Sequence, residues 1–343
     1  MQISTIGLDL AKRVFQVHGV DVEGHVILRR KLQRAEVARF FADLAPCVVG
    51  IEACATAHHW GRLIARYGHV VRLIPPSYVK PYVRRSKTDA ADAAAICEAV
   101  GRPTMRFVPV KSTAQQAALL HHRTHDLLVR QRTMLINALR GHLAEFGIIA
   151  PAGRHRVGDL IGLLQAAGED DVPALAREAL RGLIGALQQL EGRIKEIEAV
   201  IVREHRANSI SRRLASIPGI GPITASAIAA TIVDPTIFKS GRELAAWIGL
   251  VPRQHSSGGK QRLGRVSKQG DRYLRRLLTL GATSVMRRVP GKTDGHSAWI
   301  RALLDRRPYR LVSLALANKM ARIAWAIMAR EETYRKSAVG ATA

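Results

Sequence analysis

Within the first hundred residues, strand-length apolar runs give way to helical spacing and back again, and this alternation limits the fold more than any other feature. Residues 4–10, 14–20 and 26–31 read as strands, and Asp21-Val22-Glu23-Gly24 turns the second into the third as a hairpin. Residues 34–44 carry helical spacing through Val37, Phe40, Phe41 and Leu44. A fourth strand is expected at 47–51, a helix at 58–67, a fifth strand at 70–74 stopped by Pro75-Pro76, and a helix at 89–100. The order β-β-β-α-β-α-β-α predicts a hairpin-edged sheet whose later strands are joined by helical crossovers.

That order is the one used by the ribonuclease-H-like fold. The rest of the chain reads as all-α. Residues 112–146 hold a long helical pattern, broken first at Gly141, and 147–173 read as loop apart from a short apolar piece at 160–164. A second long helix at 174–204 places Leu180, Leu183, Leu187, Leu190, Ile194, Ile197 and Ile201 at 3-4 spacing. Such spacing suits an antiparallel hairpin, an intermolecular coiled coil or an ordinary domain helix equally well. The expected domains are an α/β unit at 1–110, long helices for linkage and oligomerisation at 111–207, and a helical domain at 208–343.

Fifty-three Lys and Arg against 27 Asp and Glu leave a net charge of +26, which needs a polyanionic partner. Nucleic acid fits best, because no polybasic tail marks a membrane anchor and the charges are spread among folded segments. An anionic membrane surface or a ribosome-type structural role is the blander alternative. Cys47, Cys54 and Cys97 form no CxxC pair and no zinc spacing. They sit in apolar stretches, so reduced, buried thiols in a cytosolic protein are expected. The first residues lack the features of a signal peptide, and no apolar run reads as membrane-spanning. A cytoplasmic, nucleoid-associated location is expected.

Four carboxylates then stand out. Asp9 lies in the apolar first strand, within Ile6-Gly7-Leu8-Asp9-Leu10, and Glu52 ends the fourth, Val48-Val49-Gly50-Ile51-Glu52. An acid so placed is costly unless a cation compensates it. Strands one and four are neighbours in this fold, so the two acids can meet at one sheet edge. Asp89 and Asp92 are three apart and share a helix face, although Thr88 or Asp89 also suits a simple N-cap. Four acids in one place require divalent metal, and hard oxygen ligands favour Mg²⁺ or Mn²⁺. Actin-like sugar kinases also open with an apolar strand ending in Ile-Gly-x-Asp, but they need a following glycine for phosphate; here Leu10-Ala11-Lys12 follows.

Two later motifs extend the argument. Ile217-Pro218-Gly219-Ile220-Gly221-Pro222 between helical stretches resembles a helix-hairpin-helix, whose backbone amides hold DNA phosphate without reading sequence. The alternative is a plain interhelical turn. Between Val251 and Arg276 there are eight Lys or Arg and one acid, Asp271, around His255-Ser256-Ser257-Gly258-Gly259-Lys260. From physics alone this is a flexible phosphate-binding loop as readily as a place for a nucleophilic hydroxyl.

Taken together, Asp9-x-x-Lys12, Glu52-Ala53, Lys87-Thr88-Asp89-x-x-Asp92, the Ile-Pro-Gly-Ile-Gly turn, Gly249-Leu250-x-Pro252 and the Ser-Gly loop occur in order along almost the whole chain. The combination resembles the DEDD transposases of bacterial insertion sequences, the bridge-RNA-guided recombinases. The resemblance implies a resolvase-like (RuvC-like) domain joined through a coiled coil to a helical transposase domain. It implies Asp9, Glu52, Asp89 and Asp92 as metal ligands and Ser257, with Ser256 as the fallback, as a nucleophile that links covalently to a cleaved DNA strand. It also implies a noncoding guide RNA that pairs with donor and target DNA. The family's proteins work as multimers in which one subunit's acids meet another's serine. Lys12, Gly219, Gly221, Arg253, Lys260, Arg262, Arg265 and Lys268 are the expected nucleic-acid contacts. One departure is Cys54-Ala55-Thr56-Ala57-His58-His59 where many members carry a glycine; packing at a helix start is expected for His58 and His59. A nuclease using water without the serine, and a non-enzymatic nucleic-acid-binding protein, are the competing readings.

Overall fold

A computed structural model describes residues 2–83 and 88–335, so Lys87 lies outside the described residues. The chain divides into two compact units, Met1–Gln116 and Ala117–Ala343.

The first unit contains β1 (Thr5–Asp9), β2 (Val14–Val20), β3 (Val26–Gln33), α1 (Val37–Asp43), β4 (Val48–Glu52), α2 (Ala57–Ala65), β5 (Val70–Ile74), a single turn α3 (Pro76–Val79) and α4 (Asp89–Val100). The sheet order is β3-β2-β1-β4-β5. β2 pairs antiparallel with both β1 and β3, whereas β4 runs parallel to β1 and β5. α1 begins three residues later than its apolar spacing suggests. The Arg34 amide is still bonded to the Arg13 carbonyl, and the Glu36 carboxylate accepts from the Gln33 amide, so the chain leaves the sheet before it coils.

Alternation along the strands gives the sheet two different faces. Ile6, Leu8, Val49 and Ile51 point to one side and, with Phe15 of β2, pack against Val37 and Phe41 of α1 and Trp60 and Ile64 of α2. On the other side Gly7 and Gly50 lie opposite each other in register. A Cβ on Gly7 would stand 2.1 Å from the Ala93 carbonyl oxygen, and one on Gly50 would stand 2.8 Å from the Val100 Cβ. Only bare backbone lets α4 lie this close to the sheet.

The second unit is helical: most of α5 (Thr113–Ala144), then α6 (Val157–Ala166), α7 (Ala174–Ala207), α8 (Ser209–Leu214), α9 (Pro222–Thr231) and α10 (Gly241–Ile248). A hairpin of β6 (Pro252–Gln254) and β7 (Leu263–Val266) follows, then α11 (Arg272–Met286), α12 (Gly295–Leu304) and α13 (Tyr309–Arg330). The stretch 147–173 is more ordered than its composition suggests, because α6 buries Val157, Leu160 and Leu164 against Leu139 and Leu143 of α5 and Leu180 and Leu187 of α7. Arg140 and Arg177 tie its loops down through backbone carbonyls, Arg140 to Ala150, Pro151 and Gly153, and Arg177 to Leu164, Ala167, Gly168 and Val172. The α7 seam at Leu180, Leu187, Leu190, Ile194 and Ile201 is therefore buried within the chain.

Two expectations need correction. α13 is long and apolar enough to cross a membrane by length and composition. Its Val312, Leu316, Met320, Ala324 and Ile327 instead form the centre of the helical core. Cys47 and Cys97 are buried as expected, but Cys54 is exposed, because it lies two residues beyond the end of β4, where the chain has left the sheet.

Candidate metal centre and serine hairpin

Asp9 and Glu52 each stand two residues beyond a paired glycine, Gly7-Leu8-Asp9 and Gly50-Ile51-Glu52, so period-two alternation turns both acids toward the α4 face. They occupy the carboxyl ends of adjacent parallel strands. α4 crosses above them with its first turn. Thr88 is the N-cap, its hydroxyl accepting from the Ala91 amide at 3.2 Å, which leaves the Asp89 carboxylate out of the cap. Asp89 and Asp92 sit in that first turn, at the positive end of the helix.

Carboxylate oxygens of Asp9, Asp89 and Asp92 all lie within 4.8 Å of one another. Burial, followed by the charges of Asp92, Asp89 and Glu52, pushes the Asp9 carboxyl up to about 6; the Leu10 amide pulls the other way. Three acids crowding a half-buried fourth is the arrangement a divalent cation stabilises, since the ion's charge offsets both the burial and the repulsion that raise the Asp9 carboxyl. The donor set is all oxygen, as Mg²⁺ or Mn²⁺ prefers. Lys12 is exposed in the bend after β1. His58 Nδ1 accepts from the Lys111 amide at 3.2 Å and His59 packs edge-on to Trp60, so the packing role expected of both histidines is what the fold gives them.

The serines belong to the second unit. Gly249 ends α10 in the left-handed region, and Gly270 is left-handed as well. Side chains there would collide with backbone, the Gln269 oxygen at 2.1 Å and the Trp247 oxygen at 1.8 Å. The two glycines root the hairpin. At its tip Gly258 and Gly259 both take positive φ, 56° and 75°, the pattern of a tight two-residue turn closed by the Lys260 amide on the Ser257 carbonyl. The two serines are not equivalent. The Ser256 hydroxyl accepts from the Arg262 amide and from Gln254 Nε2, at 3.2 and 3.0 Å, whereas the Ser257 hydroxyl makes no hydrogen bond among the described residues. Arg253, Lys260, Arg262, Arg265 and Lys268 are all exposed along the hairpin and its root.

The model described as "Transposase IS116/IS110/IS902 family" matches residues 211–297, and a DEDD-type IS110 transposase model matches residues 6–148. A probable family 20 transposase of Pseudomonas aeruginosa is 53% identical over 336 residues, covering 98% of this chain and 99% of the relative. The transposase for insertion sequence element IS1111A of Coxiella burnetii is 41% identical over 97% of this chain and 92% of its own length. A pilin gene-inverting protein of Moraxella bovis is 23% identical over 82% of this chain and 80% of its own.

The chain belongs to the IS110/IS116 family of DEDD transposases.

As a DNA transposase it binds DNA, and its acid cluster accords with the divalent-metal use that the DEDD domain suggests. Gly219 in this transposase has φ +88° and lies against α11, where Gly281 gives it room: a Cβ on either would press on the other's carbonyl, at 2.8 and 2.1 Å. Gly221 is exposed and caps α9. Sequence reading missed the glycine pair beneath α4, although the repeated pattern Gly-x-acid at the ends of β1 and β4 was there to be read. It also missed a buried polar cluster in the second unit. There His122 of α5 lies between the Tyr273 hydroxyl and the Ser226 hydroxyl, at 3.3 and 3.1 Å, while His125 meets Glu198 at 3.0 Å.

Proposed function

We propose that this transposase cuts and rejoins DNA strands with a ribonuclease-H-like acid cluster and a serine nucleophile. The observation that carries the reading is the convergence of Asp9, Asp89 and Asp92 within 4.8 Å, with Glu52 acting on Asp9 from the neighbouring strand. These four residues would hold Mg²⁺ or Mn²⁺. Bound there, a divalent ion supplies charge stabilisation for phosphodiester exchange.

Ser257 is the nucleophile in this reading. Its hydroxyl is exposed and has no partner among the described residues, at the tip of a basic hairpin, while Ser256 is occupied holding that hairpin together. Oγ gives up its proton to solvent and attacks phosphorus, an Oγ–P bond forms as the P–O3′ bond breaks, and the leaving O3′ takes a proton from solvent to become a 3′ hydroxyl, so no net proton is gained or lost. Arg253, Lys260, Arg262 and Arg265 steady the phosphate, with Lys268, Lys12 and the Gly219–Gly221 turn as further contacts to the backbone. A relative named for inverting a pilin gene supports rejoining as well as cutting.

Sequence choice is assigned to a noncoding guide RNA paired with donor and target DNA, which the net charge of +26 can accommodate. Homo-oligomerisation is supported by Leu120, Leu127 and Met134, seven residues apart on α5 and 62%, 46% and 69% exposed. The protein would act on DNA in the cytoplasm.

The test is covalent trapping. With supercoiled DNA carrying the element's ends, its guide RNA and Mg²⁺, the wild-type protein should give a protein–DNA adduct that survives SDS. Ser257→Ala should give none, and Ser256→Ala should still give one. An adduct that persists in Ser257→Ala removes the serine assignment, and cleavage with no adduct in any variant makes the protein a metal nuclease.

A further inference from the structure

Beside the root of the serine hairpin the second unit opens into a cleft of about 970 Å³. One wall is apolar and aromatic, including Leu250, Leu314, Ile323, Trp299 and Trp325, and Pro252 and Val266 of the hairpin strands reach its edge. The cations of the cleft are Arg242, Lys319 and Arg322, and no Asp or Glu is among the residues that line it.

Lys319 is the unusual member. It is half-buried, and its ammonium stands 4.2 Å from the centre of the Trp299 ring. Burial first, and then the charge of Arg322, holds its pKa below the ordinary lysine value. Two neighbouring cations without a lining carboxylate make a seat that an anion would neutralise. Gly241 fixes that geometry, because a Cβ there would stand 2.8 Å from the Arg322 carbonyl oxygen, so α10 and α13 touch through backbone. Ser240 and Gly241 also bring the positive end of α10 to the cleft.

We infer that this cleft holds an unpaired stretch of DNA strand, its phosphate on Lys319 and Arg322 and its sugar and base against the apolar wall beside Trp325. A duplex keeps its base faces stacked inside the helix and has none to lay against an apolar wall. An unpaired strand offers both a phosphate and exposed base faces, which match the two kinds of lining found here. The site sits next to the hairpin that carries Ser257, so the strand would be the one leading to or from the attacked phosphate. In that last respect alone the inference rests on the proposed role of Ser257.

Fluorescence anisotropy of the full-length protein with labelled oligothymidylate, and with a duplex of equal length, tests the cleft without any chemistry. Lys319→Gln/Arg322→Gln should bind oligothymidylate at least tenfold more weakly, with a salt dependence shallower by about 1.4 in log–log slope for two lost phosphate contacts. Duplex affinity should stay within twofold, and the charge-preserving pair Lys319→Arg/Arg322→Lys should bind as the parent does. Thermal melting of each variant shows that it is folded. Unchanged affinity and slope for oligothymidylate would overturn the inference, as would an equal loss for duplex. As a second readout, a bromodeoxyuridine oligonucleotide should crosslink to peptides of α12 and α13; crosslinks confined to other segments count against the cleft. Neither readout needs the covalent adduct, so a failure here leaves the serine assignment standing, and a missing adduct leaves the cleft standing.

Discussion

Gly7 and Gly50 face each other across the parallel strands β1 and β4, and the backbone they leave bare is where α4 rests. The helix they admit carries Asp89 and Asp92 in its first turn, and the strands they belong to end in Asp9 and Glu52. Spacing of the acid cluster is thus set by two residues without side chains. Gly7→Ala should destabilise the first unit by about 2–3 kcal/mol, since the new methyl meets the Ala93 carbonyl at 2.1 Å and backbone cannot swing aside. Thermal melting checks the loss, and strand cleavage measured well below the melting temperature should fall more steeply than stability alone requires. A variant of wild-type stability and activity would remove the close-packing argument.

Asp9 keeps its proton longer in the fold than in the unfolded chain, with its carboxyl at about 6. The folded state therefore holds more protons between about pH 4 and 6, and without metal its stability falls as pH rises through that window. A shift of that size corresponds to at most roughly 3 kcal/mol. Asp9→Asn should melt a few degrees above wild type at neutral pH in EDTA, and level with it near pH 4. Mg²⁺ should raise the melting temperature of wild type more than that of the variant. The reverse order in EDTA would show that the acids are not in conflict.

Ser256 ties the two arms of the hairpin together by accepting from the Arg262 amide, and it braces its own arm by accepting from Gln254 Nε2. Ser256→Ala removes those two bonds at a cost of about 1 kcal/mol to the local fold. Faster amide exchange over residues 252–266, with adduct formation reduced only a fewfold, is expected from exchange mass spectrometry and trapping. An exchange pattern like that of wild type would mean the hydroxyl does not brace the hairpin.

Burial, with His125 and His121 adding to it, lowers His122 to about 4 between Tyr273 and Ser226. The unfolded chain then takes up the proton first, near 6.5, so stability is complete above that value and is lost as pH falls toward 4. The loss amounts to roughly 3 kcal/mol. Denaturant titrations at pH 7 and pH 4.5 should show it, and His122→Gln should flatten the difference. An equal pH dependence in the variant would assign it elsewhere.

Leu127 and Met134 lie on the exposed stripe of α5, away from its buried residues. Leu127→Glu/Met134→Glu should leave the melting temperature within a few degrees and, if this stripe carries the proposed self-association, lower the mass found by light scattering after size exclusion. No change in mass would exclude this stripe from the interface.

Local patterns announced the sheet and most helices. Apolar runs of period two and spacing of 3.6 depend only on which neighbours lie on one face, and the hairpin-then-crossover order left few ways to arrange five strands. The acids could be picked out for the same reason, since Asp9 and Glu52 interrupt apolar strands. Several features were settled only by tertiary structure. Thr88 rather than Asp89 caps α4 because the chain enters the helix extended at Thr88. Residues 147–173 became α6 because the faces of α5 and α7 gave its few apolar residues somewhere to bury. Cys54 came out exposed because the chain turns off the sheet before it. The membrane-length apolar helix α13 became a core because neighbouring helices, which no window along the chain contains, cover it. The sequence by itself determined which residues are able to form a metal centre and a basic serine hairpin. The approach of α4 to β1, which brings three carboxylates within 4.8 Å, was decided by packing between segments some eighty residues apart.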